Sequence, residues 1–231
     1  MSPDKKTEQS MIFHQFWNSF WLLLLDGMIL LSGLVLGNLI VYQLHGIPVS
    51  LHYSLLLLPA WYAGAVVTGQ VPGWGLGSIE ELRRIQLLLL ALFAFAGIAA
   101  FLIGGMTSRI VFLFTYALSA VLIPFGRVLC KKVLAGSNRW GCPVVVYGDQ
   151  DTASKIVRVL NNEKSIGYNP IGIFSDNMDD HALSGVPLLG ALNDASRSVP
   201  VAIASLAHFR ERDLVDFIDH TLADYHKVVL L

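Results

Sequence analysis

Charge is scarce in this sequence of 231 residues: Asp, Glu, Lys and Arg together make up 14%, against about 25% in an ordinary soluble domain. Hydrophobic residues make up 54%. That balance argues against a simple soluble globule. It also excludes a disordered chain, which needs low hydrophobicity and high net charge. The net charge of −1 offers no basic surface for nucleic acid, so no nucleic-acid partner is expected. Cysteine is almost absent. Cys130 and Cys142 are too few for a disulfide framework, and no metal-ligand spacing links them.

The few charges are unevenly placed. Residues 1–126 hold ten of them and residues 127–231 the other 23. The first half is therefore membrane-like and the second resembles a soluble α/β domain. Four apolar segments stand out, Phe20–Tyr42, Leu51–Gly69, Ile85–Ile103 and Ile110–Arg127. Each is long enough to cross roughly 30 Å of hydrocarbon as a helix. The first follows a polar start with Lys5 and Lys6, runs well past the length of a signal-peptide core and shows no small-residue cleavage site, so it reads as a retained helix.

The expected organisation is a cytoplasmic N-terminal segment (1–19), a four-helix transmembrane domain (20–127), a basic linker (128–140) and a cytoplasmic Rossmann-like α/β domain with a mostly parallel sheet (141–231). Lys5, Lys6, Arg83, Arg84, Arg127, Lys131, Lys132 and Arg139 fall on one side of such a bundle. Basic residues mark the cytoplasmic side, which puts both termini inside. Arg109 alone falls at the opposite end. Asp26 sits within the first segment, where a carboxylate costs about 2.5–3.5 kcal/mol on insertion scales, so it should face the bundle or an interface.

In the second half, Val144–Tyr147 reads as a strand buried on both faces. Gly148 and a helix through Asn162 follow, with Ile156, Val157 and Leu160 on its inner side. Further strands are expected at Ile171–Phe174, 184–190, Val201–Ser205 and Val228–Leu231, and helices at Leu192–Ser198 and Phe209–Asp224. Alternating strands and helices imply a doubly wound sheet. A buried strand at the very end suggests a piece of a longer protein.

The turn after Val144–Tyr147 sits where the dinucleotide fingerprint G-x-G-x-x-G/A would sit. In register stand Gly148, Gln150 and Ala153. The first glycine and the final small residue are present; the middle glycine, which lets backbone approach a pyrophosphate, is not. Asp149 and Asp151 place negative charge at a helix N-terminus that would otherwise favour phosphate. Asp176 ends the second strand, where a ribose-binding carboxylate would lie, although a Ser175-Asp176-Asn177 turn explains it equally well. Gly148, Asp149, Thr152 and Asp176 are thus the candidate residues of a degenerate nucleotide site. The competing reading is a bare scaffold in which Asp151 caps the helix. No metal site and no Ser-His-Asp or Cys-His grouping can be argued from spacing.

The most distinctive segment is Pro72-Gly73-Trp74-Gly75-Leu76-Gly77-Ser78-Ile79-Glu80-Glu81-Leu82-Arg83-Arg84. Ser78 and Glu81 have capping-box spacing, and Arg83 and Arg84 can meet anionic headgroups. With the four apolar segments, the V-V-V-Y-G and I-G-I-F-S-D strands and the later S-G-V-P-L-L-G stretch, the chain resembles the N-terminal part of large bacterial polyprenyl-phosphate hexose-1-phosphate transferases of the undecaprenyl-phosphate galactose phosphotransferase type.

The resemblance implies a protein of the bacterial inner membrane. Its parent enzyme would move hexose-1-phosphate from a UDP-sugar to undecaprenyl phosphate, initiating O-antigen, capsule or exopolysaccharide synthesis. Membrane lipid, undecaprenyl phosphate and UDP-sugar would be partners through that enzyme, and a homodimer is plausible. Catalysis in that family belongs to a C-terminal module with an Asp-Glu pair and Mg²⁺. No Asp-Glu dipeptide occurs in this sequence, so no catalytic residue carries over and no cofactor is expected for this chain itself. The implied role is accessory: anchoring, regulatory or oligomerising. Membrane-bound nucleotide-sugar 4,6-dehydratases resemble the same layout, and a non-enzymatic membrane scaffold or sensor is a third reading.

Overall fold

The computed structural model describes residues 3–46, 56–103, 106–137, 139–176, 185–192, 194–195, 199–205, 217–223 and 225–230. The chain divides into two compact units, Trp17–Gly136 and a second that includes Ser137–Leu231.

The first unit is helical: α1 Pro3–His45, α2 Leu57–Val67, α3 Ser78–Ile103 and α4 Met106–Gly136. Three of them, over Ile12–His45, Ser78–Ala99 and Arg109–Gly136, are long and apolar enough to cross a membrane; α2 is a shorter apolar helix. The helices overrun their sequence-expected bounds because charged residues do not stop a helix that can pair them. Thus α3 absorbs Ser78–Arg84, and α4 runs through the basic stretch 128–140 as far as Gly136. Residues 51–55 of the expected second helix lie outside the described residues.

Leu30, Leu34 and Val41 of α1, Trp61 of α2, Ile85 and Leu89 of α3, and Val111 and Ile123 of α4 form the bundle core. Small residues let the backbones approach, as lipid-embedded helices require. Gly33 and Gly37, one turn apart on α1, face Thr115 and Val111 of α4. A Cβ on Gly37 would lie 3.3 Å from the Val111 carbonyl oxygen.

The second unit is a five-stranded, wholly parallel sheet in the order β3-β2-β1-β4-β5. Its strands are β1 Cys142–Tyr147, β2 Tyr168–Phe174, β3 Leu188–Gly190, β4 Val201–Ala204 and β5 Lys227–Leu230. Helix α5, Gln150–Asn162, joins β1 to β2 and buries Ala153, Val157 and Leu160. The architecture is the Rossmann-like one read from the sequence. Its central strand β1 is buried from Val144 to Tyr147 because both sheet faces are covered.

Three expectations need correction or fall outside view. Of the strand expected at 184–190, Leu188–Gly190 forms β3, and residue 184 lies outside the described ones. The expected helix Leu192–Ser198 is not helical at Leu192, Asp194 or Ala195; its other residues lie outside the described ones. Of the expected helix Phe209–Asp224, Phe217–Thr221 forms a π-helical turn, and residues 209–216 lie outside the described ones.

Tyr147 closes β1 by stacking on Phe174 at 4.7 Å and sharing a hydroxyl hydrogen bond with Tyr225 at 2.7 Å. At the other end of β1, burial pushes the Cys142 thiol from its ordinary 9.0 up to about 12, with Lys227 pulling weakly the other way. The folded state therefore holds a proton that the unfolded state releases between about pH 9 and 12, so this residue makes stability fall as pH rises through that window. In a Cys130→Ser background, Cys142 should resist iodoacetamide at pH 8 in the native protein and react readily in urea, because the thiolate is the nucleophile. Peptide mass spectrometry reads the outcome.

Candidate functional site

Two places gather chemistry-bearing side chains. The first lies in the helical unit. Asp26 of α1 and Arg127 of α4 are fully buried. Arg127 donates to the Asp26 carboxylate from Nη2 at 2.5 Å and from Nε at 3.1 Å, the forked geometry that strengthens such pairs. The Trp61 indole N–H of α2 donates to Asp26 Oδ2 at 3.1 Å. Arg127 Nη1 reaches the Gln70 carbonyl at 3.3 Å and Glu81 Oε1 of α3 at 3.5 Å. Lys131, one turn along α4, donates to Glu81 Oε2 at 2.6 Å. Two acids and two bases thus cancel within one buried cluster that all four helices touch.

The loop before α3 is shaped to close over it. Gly73 holds φ +78°, and a Cβ there would stand 3.1 Å from the Gln70 carbonyl oxygen and 3.6 Å from Lys131 Nζ. Glycine is the residue that tolerates this backbone. The capping box expected of Ser78 and Glu81 does not form. Ser78 is already the first helical residue, the Glu81 N–H bonds to Gly77, and the Glu81 carboxylate is taken by Lys131 and Arg127. Arg127 and Lys131, read from the sequence as cytoplasmic-side cations at and after the end of the last apolar segment, are both buried in this cluster. Arg84 is also engaged, with Glu80 at 2.8 Å and the Thr68 carbonyl at 2.9 Å; Arg83 is 72% exposed and lies 3.9 Å from Glu80 Oε2.

The cluster marks a level in the bundle. From Asp26 to His45, from Glu81 to Ile103 and back from Arg127 to Met106, each helix extends about 30 Å to the same side. That equals the hydrocarbon thickness of a bilayer. The polar layer therefore sits where one boundary of the apolar slab would fall.

The second place is the carboxyl edge of the sheet, the binding crevice of doubly wound folds. Gly148 leaves β1, Ser175 and Asp176 leave β2, and Ser205 leaves β4. Gly148 is buried, and a Cβ on it would touch Ser205 at 3.5 Å. Its N–H is spent on the Phe174 carbonyl at 3.3 Å, while Ser205 N–H bonds to Tyr147 at 3.0 Å. Asp149, not Asp151, occupies the N-cap position of α5, with Asp151 in the first turn. Thr152 is half-buried on that turn, 4.0 Å from the Gly148 Cβ position. Asp176 is exposed and accepts the Leu192 N–H at 2.9 Å, so it staples the β2 exit to the chain after β3. The structure thus brings Gly148, Asp149 and Thr152 together and gives Asp176 a turn-forming partner. Ser175 Oγ is buried at this edge with no hydrogen-bond partner; the candidate list from sequence lacked it, since a serine after a strand carries no signal. Among the described residues no group of three or more His, Cys, Asp or Glu could hold a metal.

The ion cluster generates a stability prediction. Removing one partner of a buried pair strands the other, at a cost of about 3–5 kcal/mol, whereas replacing both by apolar groups is often close to neutral. Asp26→Leu should lower the melting temperature sharply in mild detergent. Asp26→Leu with Arg127→Met should recover most of that loss, although Glu81 then relies on Lys131 alone. Thermal unfolding of the wild type, the two single variants and the double variant completes the cycle.

Over 84 residues the chain is 29% identical to a UDP-galactose-lipid carrier transferase of Erwinia amylovora, covering 36% of this chain and 18% of that one. Over 82 residues it is 26% identical to an undecaprenyl-phosphate galactose phosphotransferase of Salmonella typhimurium (strain LT2), covering 36% and 17%. The matched part is thus under a fifth of either relative's length. The model of a family described as CoA-binding domain matches residues 75–201, from the glycine-rich loop through α3, α4, β1, α5, β2 and β3 to the start of β4. That match takes in more than half of the 231 residues, and on it the chain belongs to the CoA-binding domain family.

Proposed function

We propose that this chain is a membrane-anchoring, accessory part of a phosphoglycosyl transferase that moves hexose-1-phosphate from a UDP-sugar to undecaprenyl phosphate. The observation that carries the reading is the closed ion cluster. Its four charges are consumed by one another, so the bundle offers rigidity rather than a nucleophile or a phosphate receptor. The names of the two transferase relatives supply the class of reaction, and the apolar helices supply the membrane. The distribution of Lys and Arg supports a bacterial inner-membrane location with both termini in the cytoplasm. Nucleotide sugar, Mg²⁺ and the transfer step belong, on this reading, to a separate catalytic module, and pairing of two copies would serve that module.

The family's name implies CoA, and the residues at the sheet edge do not suit it. CoA presents several phosphates to its protein. Here the first βα turn carries Asp149 and Asp151 where a phosphate would approach, Gln150 replaces the middle glycine, and the Gly148 N–H is already bonded. We therefore read Gly148, Asp149, Thr152 and Asp176 as a degenerate nucleotide site that keeps its place in the fold without the phosphate chemistry. Millimolar CoA should leave the melting temperature unchanged; binding at 100-fold above its Kd would add about 2.7 kcal/mol, a shift that differential scanning fluorimetry detects.

The function itself is tested by supplying the purified 231-residue chain with UDP-galactose, undecaprenyl phosphate and Mg²⁺ in detergent. No radiolabelled sugar should enter the lipid fraction. Transfer above the no-protein control would overturn the accessory role.

A further inference from the structure

Helix α1 carries more apolar surface than a bilayer can cover. Its apolar span, Ile12–His45, is 34 residues long, about 51 Å as a helix, against roughly 30 Å of hydrocarbon. The surplus lies at the N-terminal end. From Asp26 to His45 the helix already fills the slab, so Phe20 and Phe16 stand roughly 9 and 15 Å beyond the polar layer. The headgroup region on one side is only about 5–8 Å deep. Yet Phe16 is 65% exposed and Phe20 43%. Trp17 and Trp21 hold the Phe20 ring between them, centroids 6.0 and 5.8 Å away, so the overhang presents a fixed aromatic surface.

Lipid tails do not reach that height. A helix built to lie among headgroups carries Lys or Arg on its polar side, but between Glu8 and Asp26 the sequence has no Asp, Glu, Lys or Arg. The same lack leaves a charged protein surface without a counter-charge. The cover must be apolar and must stand at the same height. A second copy meets both conditions. The membrane holds every copy in one orientation and at one depth, so the stripe meets itself in a two-fold, isologous contact. Below the overhang the exposed stripe continues through Leu24, Met28, Leu31 and Val35, each three or four residues after the last and so on one side of the helix. None is charged, so parallel pairing brings no like charges together. Inside the slab such pairing gains little, because lipid is as apolar as leucine. Outside it, pairing takes aromatic surface out of water. The overhang drives association and the stripe guides it.

We propose that two copies of this chain pair in parallel along α1, the Phe16 and Phe20 rings of one packing on those of the other just outside the bilayer. The proposal rests on the membrane-anchoring reading above and gives the pairing of copies its contact surface.

The test is cysteine cross-linking of the full chain in isolated host membranes, in a Cys130→Ser background that leaves only the buried Cys142. Phe16→Cys should give a disulfide-linked dimer on mild oxidation, since a disulfide forms where two Cα atoms approach within about 4.4–6.8 Å. Gln15→Cys, exposed but off the stripe, should give about tenfold less, and adding Phe20→Gln to Phe16→Cys should weaken pairing about tenfold. Equal linkage from Gln15→Cys would signify random collision and overturn the proposal. Without linkage, free reaction of the Phe16→Cys thiol with an impermeant maleimide would show a face left to water, and exclusion of the maleimide would show cover by lipid or by the chain itself; either result overturns it. A dimer by light scattering in detergent without Phe16→Cys linkage would place the contact elsewhere and overturn this interface alone. Recovery of the chain in the soluble fraction would overturn the anchoring reading and the proposal with it.

Discussion

The helical unit depends on the pairing of Asp26 with Arg127. Neither charge could be buried alone, because desolvating one ion costs several kcal/mol that only a close counter-ion and added hydrogen bonds offset. The forked contact from Arg127 and the indole N–H of Trp61 supply both. Glu81 and Lys131 extend the pair into a neutral cluster of four. Because its members come from α1, α3 and α4, with Trp61 from α2 and a carbonyl from the loop after it, the cluster fixes the register of the helices. Apolar packing cannot do this as sharply, since one leucine-lined register differs little from the next when lipid is as apolar as leucine.

That constraint explains why the glycine-rich loop is so distinctive. To reach the cluster, Glu81 must sit in the first turn of a helix directly after a loop that passes close to Gln70 and Lys131. Gly73 allows the approach. The IEELRR segment thus divides its charges by position. Glu81 turns inward to α4, Glu80 and Arg84 pair along the α3 surface, and Arg83 remains at the outside.

How much of this was legible in the sequence follows the same physics. Apolar runs and the alternation of strands with a helix were local signals, so the bundle, β1, β2, β4 and β5 were readable. Asp26 was recognised as a carboxylate needing a partner, yet its partner is 101 residues away. Arg127 and Lys131 looked like the cations that follow a membrane helix, because composition reports a charge without reporting which way it faces. Their spacing of four, on one face of a helix continuing to Gly136, was the available clue. The close approach of Gly33 and Gly37 to α4 was likewise present only as two glycines one turn apart.

The sheet edge shows the opposite limit. There the sequence placed the residues correctly: Gly148 and Asp149 stand at the first βα turn and Asp176 at the end of β2. What it could not weigh was prior commitment. A carboxylate at the end of a second strand can hold a ribose only while its oxygens are available, and Asp176 spends one on Leu192. A glycine N–H can greet a phosphate only when it is not extending a ladder, and that of Gly148 bonds to Phe174. Position in a fold is inherited with the backbone, whereas ligand chemistry depends on donors and acceptors left over once the backbone is satisfied. In this chain the Rossmann-like position persists while the Gly148 N–H that would serve a phosphate is spent, and two aspartates oppose it.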